Sequence, residues 1–240
     1  MEREHSLANK GKEAYQEAAV SMMNAPVIES RLRRNIIRVP REIEQATGIV
    51  VLGRRIKSLL YSTDIALIKN CDADAVFCVY PFTAQRSISS AIIHAASVPV
   101  FCGVGGGITQ GERSAYLAMD AESQGAMGIV LNNPIPNDDI RLIASTIDIP
   151  IIVTIVNDTT DIAARLEAGT TILNVAAGAK TPDIVAKIRE GFPQAPIIAT
   201  GGKTPEAITA TIKAGANAIV YSPPNSSELT RRVMDGYRAQ

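Results

Sequence analysis

A repeat of short apolar runs and helical segments constrains this chain more than any other feature of its sequence. Three runs, about 50 residues apart, begin with an apolar–proline step: Val98-Pro99-Val100, Ile149-Pro150-Ile151 and Ala195-Pro196-Ile197. After each of them, a glycine precedes a second kind of run, at Gly125, Gly169 and Gly215. Such a glycine is typical of the point where a helix ends and the chain turns into a strand. The repeat predicts alternating strands and helices.

Eight apolar runs in this repeat have the length of strands and are too short for buried helices. They are expected near Ile49–Gly53, Ala75–Tyr80, Val100–Val104, Gly128–Asn132, Ile151–Ile155, Thr171–Val175, Ile197–Thr200 and Ala218–Ser222. Strict alternation with helices implies parallel strands and right-handed crossovers. Eight units predict an α/β fold closed into a (β/α)₈ TIM barrel. The alternative is an open doubly wound sheet, which the uniform repeat and the lack of a G-x-G-x-x-G motif after the first run disfavour.

The sequence before the repeat predicts a separate element. Residues 1–46 are expected to form an N-terminal helical extension, and residues 47–240 are expected to form the barrel. A basic run in the extension, Arg31–Arg34, is interpreted as a solvated face. The extension could close the bottom of the barrel or contact a second subunit, and the latter would give a homo-oligomer.

The charge balance and the content of cysteine and histidine exclude several classes of protein. Twenty-four basic and 24 acidic residues give a net charge of zero, which favours neither nucleic acid nor an anionic membrane as a partner. We find no run of 18 apolar residues and no signal-peptide pattern, so we expect no membrane span. Three cysteines and two histidines predict neither a disulfide framework nor a metal site, which favours a reducing, cytoplasmic location, and we expect no cofactor.

The strongest chemical signal follows the seventh run, where the sequence reads Thr200-Gly201-Gly202-Lys203-Thr204-Pro205. Two glycines let the backbone approach an anion closely, and a helix that opens at Thr204-Pro205 presents unpaired N–H groups. Ser222, at the end of the eighth run, would complete the same site. The sequence therefore predicts phosphate binding by Gly201, Gly202, Lys203 and Ser222, with a tight glycine turn as the alternative.

On these residues the chain resembles the phosphate-binding TIM barrels of the 2-keto-3-deoxy-6-phosphogluconate aldolase and thiamine-phosphate synthase kind. The resemblance is concentrated in residues 196–220. It implies a phosphate role for Gly201, Gly202 and the region of Ser222. Three departures accompany it: Asn174 stands where those aldolases have a Schiff-base lysine, Gly53-Arg54-Arg55 brings no acid to the first strand, and Ser222 is followed by two prolines.

Further candidate residues lie at the predicted strand ends, where the active site of a TIM barrel is located. We expect a substrate pocket lined by Arg54, Tyr80, Cys102, Asn132, Thr154 and Asn174. The weak candidates for a catalytic group are Lys57, Asn174 and Lys180. The glycine-rich segment Gly103–Gly111 is either a lid that approaches the ligand or a flexible connection. Paired acids are lacking, which argues against glycoside hydrolysis and against a carboxylate-held magnesium ion.

These features predict an enzyme that acts on a small phosphorylated sugar or keto acid, of the lyase, isomerase or epimerase type. Asn132, Thr154 and Asn174 could polarise a carbonyl group or hold an enolate. The alternative is a non-catalytic or regulatory barrel that binds a phosphorylated ligand. A hydrolase ranks third, because no nucleophile–base pair is evident.

Overall fold

Residues 36–202 and 204–238, together with residue 28, are described by a computed structural model. A unit that begins at Ile36 contains ten strands. They are β1 (Ile49–Val51), β2 (Arg54–Ile56), β3 (Ser58–Tyr61), β4 (Ala75–Cys78), β5 (Val100–Gly105), β6 (Gly128–Leu131), β7 (Ile151–Ile155), β8 (Ile172–Val175), β9 (Ile197–Thr200) and β10 (Ala218–Tyr221).

Eight α-helices alternate with the last eight of these strands in the described part of the chain. They are α1 (Ile65–Lys69), α2 (Arg86–Ala95), α3 (Gly111–Ser123), α4 (Asn137–Ala144), α5 (Ile162–Glu167), α6 (Thr181–Gly191), α7 (Pro205–Lys213) and α8 (Ser226–Arg238). Strands β3 to β10 are parallel and close into a barrel, in which β10 pairs with β3. The predicted TIM barrel is therefore confirmed. No helix among the described residues is both long and apolar enough to span a membrane.

The barrel strands alternate between two buried faces, as the period of two in a strand requires. Their inward side chains form one apolar cluster, which includes Leu59, Phe77, Phe101, Ile152 and Ile198. Their outward side chains form a second cluster with the helices. Side chains that lie two residues from Phe101 along β5, or two residues from Ile152 along β7, therefore point into the barrel. The same spacing in each strand decides which side chains reach the mouth of the barrel.

The first predicted strand is wrong. Residues 49–51 pair in antiparallel fashion with Arg54–Ile56 and form a hairpin outside the barrel. Val51 and Ile56 of this hairpin pack against the interior cluster, and the first barrel strand is instead β3. An apolar run followed by glycine fits a strand of a hairpin as well as a strand of the barrel. The sequence pattern alone therefore did not distinguish a hairpin strand from a barrel strand.

Part of the predicted N-terminal extension lies within the described residues. Arg41–Gln45 form a 3₁₀-helix, and Ile43 packs into the cluster between strands and helices. Residues 1–27 and 29–35 of the predicted extension, which include the basic run, lie outside the described residues. The division of the chain after residue 46 stays a prediction.

Arg189, on α6, joins the segments that precede β9 and β10. Its guanidinium group donates to the backbone oxygens of Pro193, Ala195 and Gly215 and to Oδ1 of Asn217, at 2.6–2.9 Å. The same Asn217 Oδ1 accepts from the N–H of Ile197, and its Nδ2 donates to Thr47. These bonds hold the starts of two adjacent strands in register at the end of the barrel opposite the mouth.

Candidate functional site

Three polar side chains point into the barrel at the C-terminal ends of adjacent strands. Thr154, Asn174 and Thr200 lie two residues beyond Ile152, Ile172 and Ile198, so they continue the inward-facing rows of β7, β8 and β9. Asn174 Nδ2 donates to Thr154 Oγ1 at 3.3 Å, and Thr200 Oγ1 donates to Asn174 Oδ1 at 3.0 Å. We call these three residues the polar cluster.

The polar cluster has a defined hydrogen-bonding polarity. Thr154 Oγ1 accepts from the amide, so its own hydrogen can be donated elsewhere. Thr200 donates its hydroxyl hydrogen to Asn174, so the Thr200 oxygen can still accept a hydrogen bond. Asn174 is only 2% exposed, while both threonines are half-buried. The cluster can therefore offer one hydroxyl donor and one hydroxyl acceptor to a ligand above it.

The Gly201-Gly202 turn lies between the polar cluster and the start of α7. Gly202 has φ +80°, and a Cβ atom there would lie 2.5 Å from Cβ of Ala207. A Cβ atom at Gly201 would lie 3.1 Å from Cγ2 of Thr181. Gly202 is thus required for the turn, whereas a side chain at Gly201 needs only a small shift of Thr181. Thr204 caps α7 by accepting from the N–H of Ala207.

Carboxylates accompany both helix starts near the predicted phosphate site. Hydrogen bonds from its own backbone N–H and from Thr204 lower the pKa of the Glu206 carboxyl in α7. Asp64, after β3, accepts from the hydroxyl of Ser226 in α8 and from two N–H groups of α1. The Ser226 hydrogen bond is the main cause of a lowered Asp64 pKa. Two carboxylates therefore lie in or beside the helix starts that follow β9 and β3.

The altered first strand brings two residues to the mouth that the sequence prediction missed. Tyr61, at the end of β3, packs on Phe77 with ring centroids 6.4 Å apart. Burial raises the pKa of its phenol. Asp64 is the N-cap of α1. The sequence carries a signal for Tyr61 and Asp64: an apolar strand is followed by a capping aspartate and then by the apolar start of a helix.

The glycine-rich segment is held in place by hydrogen bonds. The N–H of Gly106 donates to the oxygen of Thr109 at 2.9 Å, and the hydroxyl of Ser114 donates to the same oxygen at 3.0 Å. Gly106 has φ +98°, and a Cβ atom there would lie 2.4 Å from the nitrogen of Asn132. Close packing against the next strand end therefore explains a glycine at this position.

A cavity of about 210 Å³ opens between this segment and the end of β4. We call it the apolar cleft. It is lined by Val79, Tyr80, Pro81, Phe82, Thr83, Ala84, Gly103, Gly105, Gly107, Ile108, Thr109, Val130 and Asn132. Two of the predicted pocket residues, Tyr80 and Asn132, are among them. The Tyr80 hydroxyl accepts from the N–H of Gln85 at 2.8 Å, so Tyr80 serves the wall of the cleft.

Other predicted residues lie away from the mouth. Arg54 is in the hairpin, and Lys57 precedes β3 at the opposite end of the barrel, where its Nζ donates to the oxygen of Glu44 at 2.6 Å. Cys102 points outward into the layer between strands and helices. A hydrogen bond with Cys78, together with burial, raises the pKa of its thiol. Arg54, Lys57 and Cys102 are therefore not at the predicted site. Arg54 and Lys57 precede the first barrel strand, and Cys102 is on the outward face of β5.

The remaining predicted residues keep positions compatible with a site. Lys180 is exposed in the short 3₁₀-helix Gly178–Lys180 that follows β8. Ser222 is exposed directly after β10. Lys203 lies outside the described residues.

Comparison with solved structures finds the same fold in several enzymes. Phosphoenolpyruvate phosphomutase from Streptomyces platensis subsp. rosaceus is 11% identical, with a TM-score of 0.59 over 77% of this chain and 81% of that chain. A 2,3-dimethylmalate lyase of the PEP mutase/isocitrate lyase superfamily is 14% identical, with a TM-score of 0.57 over 82% and 83%. Phosphonopyruvate hydrolase, solved with oxalate and Mg²⁺, is 14% identical, with a TM-score of 0.56 over 77% and 80%. At these identities the likeness establishes the TIM-barrel fold.

No protein-family model matches the sequence, and a search of curated proteins finds no match. The phosphonopyruvate hydrolase structure contains Mg²⁺. No group of three histidine, cysteine, aspartate or glutamate side chains comes together within the described part of the chain. Asp64, at the mouth, already uses both carboxylate oxygens in hydrogen bonds. The described residues therefore do not fit a carboxylate-held magnesium ion.

Proposed function

We propose that this chain is an enzyme of the lyase or isomerase type that acts on a small phosphorylated keto acid or sugar at the C-terminal mouth of its barrel. The observation that carries the proposal is the polar cluster. Elsewhere the interior of the barrel is filled by apolar side chains, so a hydrogen-bonded Thr–Asn–Thr row beneath the mouth is the feature that a packed core does not require.

The polar cluster would act on a substrate carbonyl group. The free hydroxyl hydrogen of Thr154 would donate to the carbonyl oxygen and stabilise the negative charge that develops when an enolate forms. Asn174, fixed by both threonines, would orient that donor. Thr200 Oγ1 would accept a hydrogen from a neighbouring hydroxyl of the substrate. Lys180 and Tyr61 are the titratable groups at the mouth that we propose as candidates for proton transfer.

The Gly201-Gly202 turn is our proposed anchor for a phosphate group, with Ser222 as a second contact. Its support is the close approach of the turn to the start of α7 and the resemblance of residues 196–220 to the phosphate-binding barrels. The names of the similar solved enzymes add support, since phosphoenolpyruvate, phosphonopyruvate and dimethylmalate are small acids and two of them carry phosphorus.

Replacing Thr154 by valine tests the proposed carbonyl contact. Valine matches the shape of threonine but has no hydroxyl group, so we expect binding of 2-keto acids to weaken by about tenfold while the fold is retained. Isothermal titration with a panel of 2-keto acids and sugar phosphates measures the change. Thr154→Ser keeps the hydroxyl group and is the matched control. Equal affinity of both variants would remove the polar cluster from the site.

Replacing Gly201 by aspartate tests the phosphate anchor. The added carboxylate would repel a phosphate dianion, and we expect the thermal stabilisation by inorganic phosphate to be lost. Gly201→Asn has the same size without the charge and should retain more of the stabilisation. An undiminished shift in the aspartate variant would contradict phosphate binding at this turn.

A barrel that binds its ligand without catalysis is the second candidate. The observation that favours it is the shortage of free acids at the mouth, where both oxygens of Asp64 are engaged. Product formation by the same ligand panel, followed by NMR, separates the two. Binding without any product would favour the non-catalytic barrel over the enzyme.

A further inference from the structure

The apolar cleft differs in chemistry from the rest of the mouth. None of its lining residues carries a charge. Two of its polar groups are engaged, since the Tyr80 hydroxyl accepts from Gln85 and the oxygen of Thr109 accepts from both Gly106 and Ser114. A hydroxylated or charged group placed here would lose water without full replacement of its hydrogen bonds, which is unfavourable.

The floor of the cleft is open because strand β5 contributes no side chain to it. Gly103 has the parity of Phe101, and a Cβ atom there would lie 3.4 Å from Cγ2 of Val79, whereas a Cβ atom at Gly105 would meet Ser114 on α3. Bare backbone therefore lies between Val79 and Val130. The resulting volume exceeds the ~150 Å³ of an apolar cavity that accepts benzene. The cleft has room for a six-membered ring or a branched aliphatic chain.

Two large apolar side chains stand at the entrance. Phe82 is 75% exposed and Ile108 is 97% exposed, and both line the cleft. The hydrogen bonds accepted by the oxygen of Thr109 lie directly beside Ile108 in the glycine-rich segment. An apolar ligand in the cleft would cover surface on both residues and remove it from water.

The cleft also borders the polar cluster. Strands β6 and β7 pair with Leu131 beside Val153, and one step further along this register places Asn132, in the cleft, beside Thr154. Neighbouring strands lie about 4.8 Å apart. One small molecule can therefore reach the polar cluster and the cleft together.

We infer that the apolar cleft binds an uncharged hydrocarbon substituent, an aromatic ring or a branched chain, of the molecule whose carbonyl group meets the polar cluster. The inference rests on the proposed function and makes it narrower. It selects a keto acid with an apolar side chain over a sugar, because a sugar would place hydroxyl groups against the uncharged lining.

Binding of a graded series of 2-keto acids tests this inference. Pyruvate, 4-methyl-2-oxopentanoate and phenylpyruvate share the keto acid and differ in the hydrocarbon side chain. We expect phenylpyruvate to bind at least about tenfold more tightly than pyruvate in isothermal titration. In Phe82→Ser/Ile108→Ser, this ratio should fall towards one while the affinity for pyruvate is unchanged. Tyr116→Ser/Met119→Ser, which alters two exposed apolar residues of α3, is the matched control and should keep the ratio.

Benzyl alcohol separates a failure of the cleft from a failure of the proposed function, because it has neither a keto acid nor a phosphate group. Its binding is followed by ligand-detected NMR. Binding of benzyl alcohol to the unaltered protein, but not to Phe82→Ser/Ile108→Ser, supports the cleft. If no keto acid binds in the same experiments, the proposed function fails and the cleft stands. Equal affinity for pyruvate and phenylpyruvate overturns the cleft and leaves the carbonyl site standing. Loss of the preference in the Tyr116→Ser/Met119→Ser control also overturns it.

Discussion

Phe101→Ala is expected to lower the free energy of unfolding by about 3–5 kcal/mol, the usual cost of removing a buried phenylalanine. Phe101 is 1% exposed and lies in the interior cluster of the barrel. Its ring occupies space that β6 leaves free, because a Cβ atom at Gly128 would lie 2.9 Å from the ring carbon Cδ1. The barrel strands surround this position on all sides, so they cannot collapse to fill the space.

Urea denaturation followed by circular dichroism measures the Phe101→Ala effect. Phe82→Ala is the control within the same chain, since Phe82 is 75% exposed and its removal should change stability by less than about 0.5 kcal/mol. A similar loss in both variants would show that burial inside the barrel does not govern the effect. The interior packing described above would then be incorrect.

Arg189→Ala is expected to lower the free energy of unfolding by about 3 kcal/mol, because four acceptors lose a charged donor at once. Burial lowers the pKa of this guanidinium group, as expected for an arginine surrounded by carbonyl groups and without a carboxylate partner among the described residues. Arg189→Lys should recover only part of the loss, since an ammonium group cannot reproduce the planar fork of donors.

Thermal unfolding of the Arg189 variants, alongside Arg141→Ala, checks this expectation. Arg141 is exposed and pairs with Asp138 at 2.7 Å, three residues away on α4. A surface pair of this kind contributes little, so Arg141→Ala should change stability by less than about 0.5 kcal/mol. An Arg189→Ala variant as stable as Arg141→Ala would contradict the proposed tie between the starts of β9 and β10.

Seven of the eight barrel strands could be predicted from the sequence, and the error at the first has a physical origin. An apolar run is favourable wherever it becomes buried, and Val51 is buried in a hairpin as completely as it would be in a strand of the barrel. Pairing between Ile219 and Ser58 decides the matter. Such pairing joins residues far apart in the chain, and local periodicity carries no record of it.

The candidate site was predictable in part, from the positions of polar residues at the ends of the apolar runs. Thr154 and Asn174 were expected at the mouth, and the structure joins them by a hydrogen bond. Cys102 was expected there too, but it lies one residue from Phe101 and therefore faces the opposite side of the strand. A run of consecutive apolar residues gives no alternation from which to choose the side, because both faces of these strands are buried.

The closure of β10 on β3 has a consequence for synthesis of the chain. The outer edge of β3 has no partner until residues 218–221 leave the ribosome, so the growing chain carries an unpaired strand edge while residues 62–217 are synthesised. Such edges invite pairing with other chains. Truncation before residue 218 should therefore yield aggregation rather than a smaller soluble barrel, and a chaperone that shields β3 would act mainly before the last strand emerges.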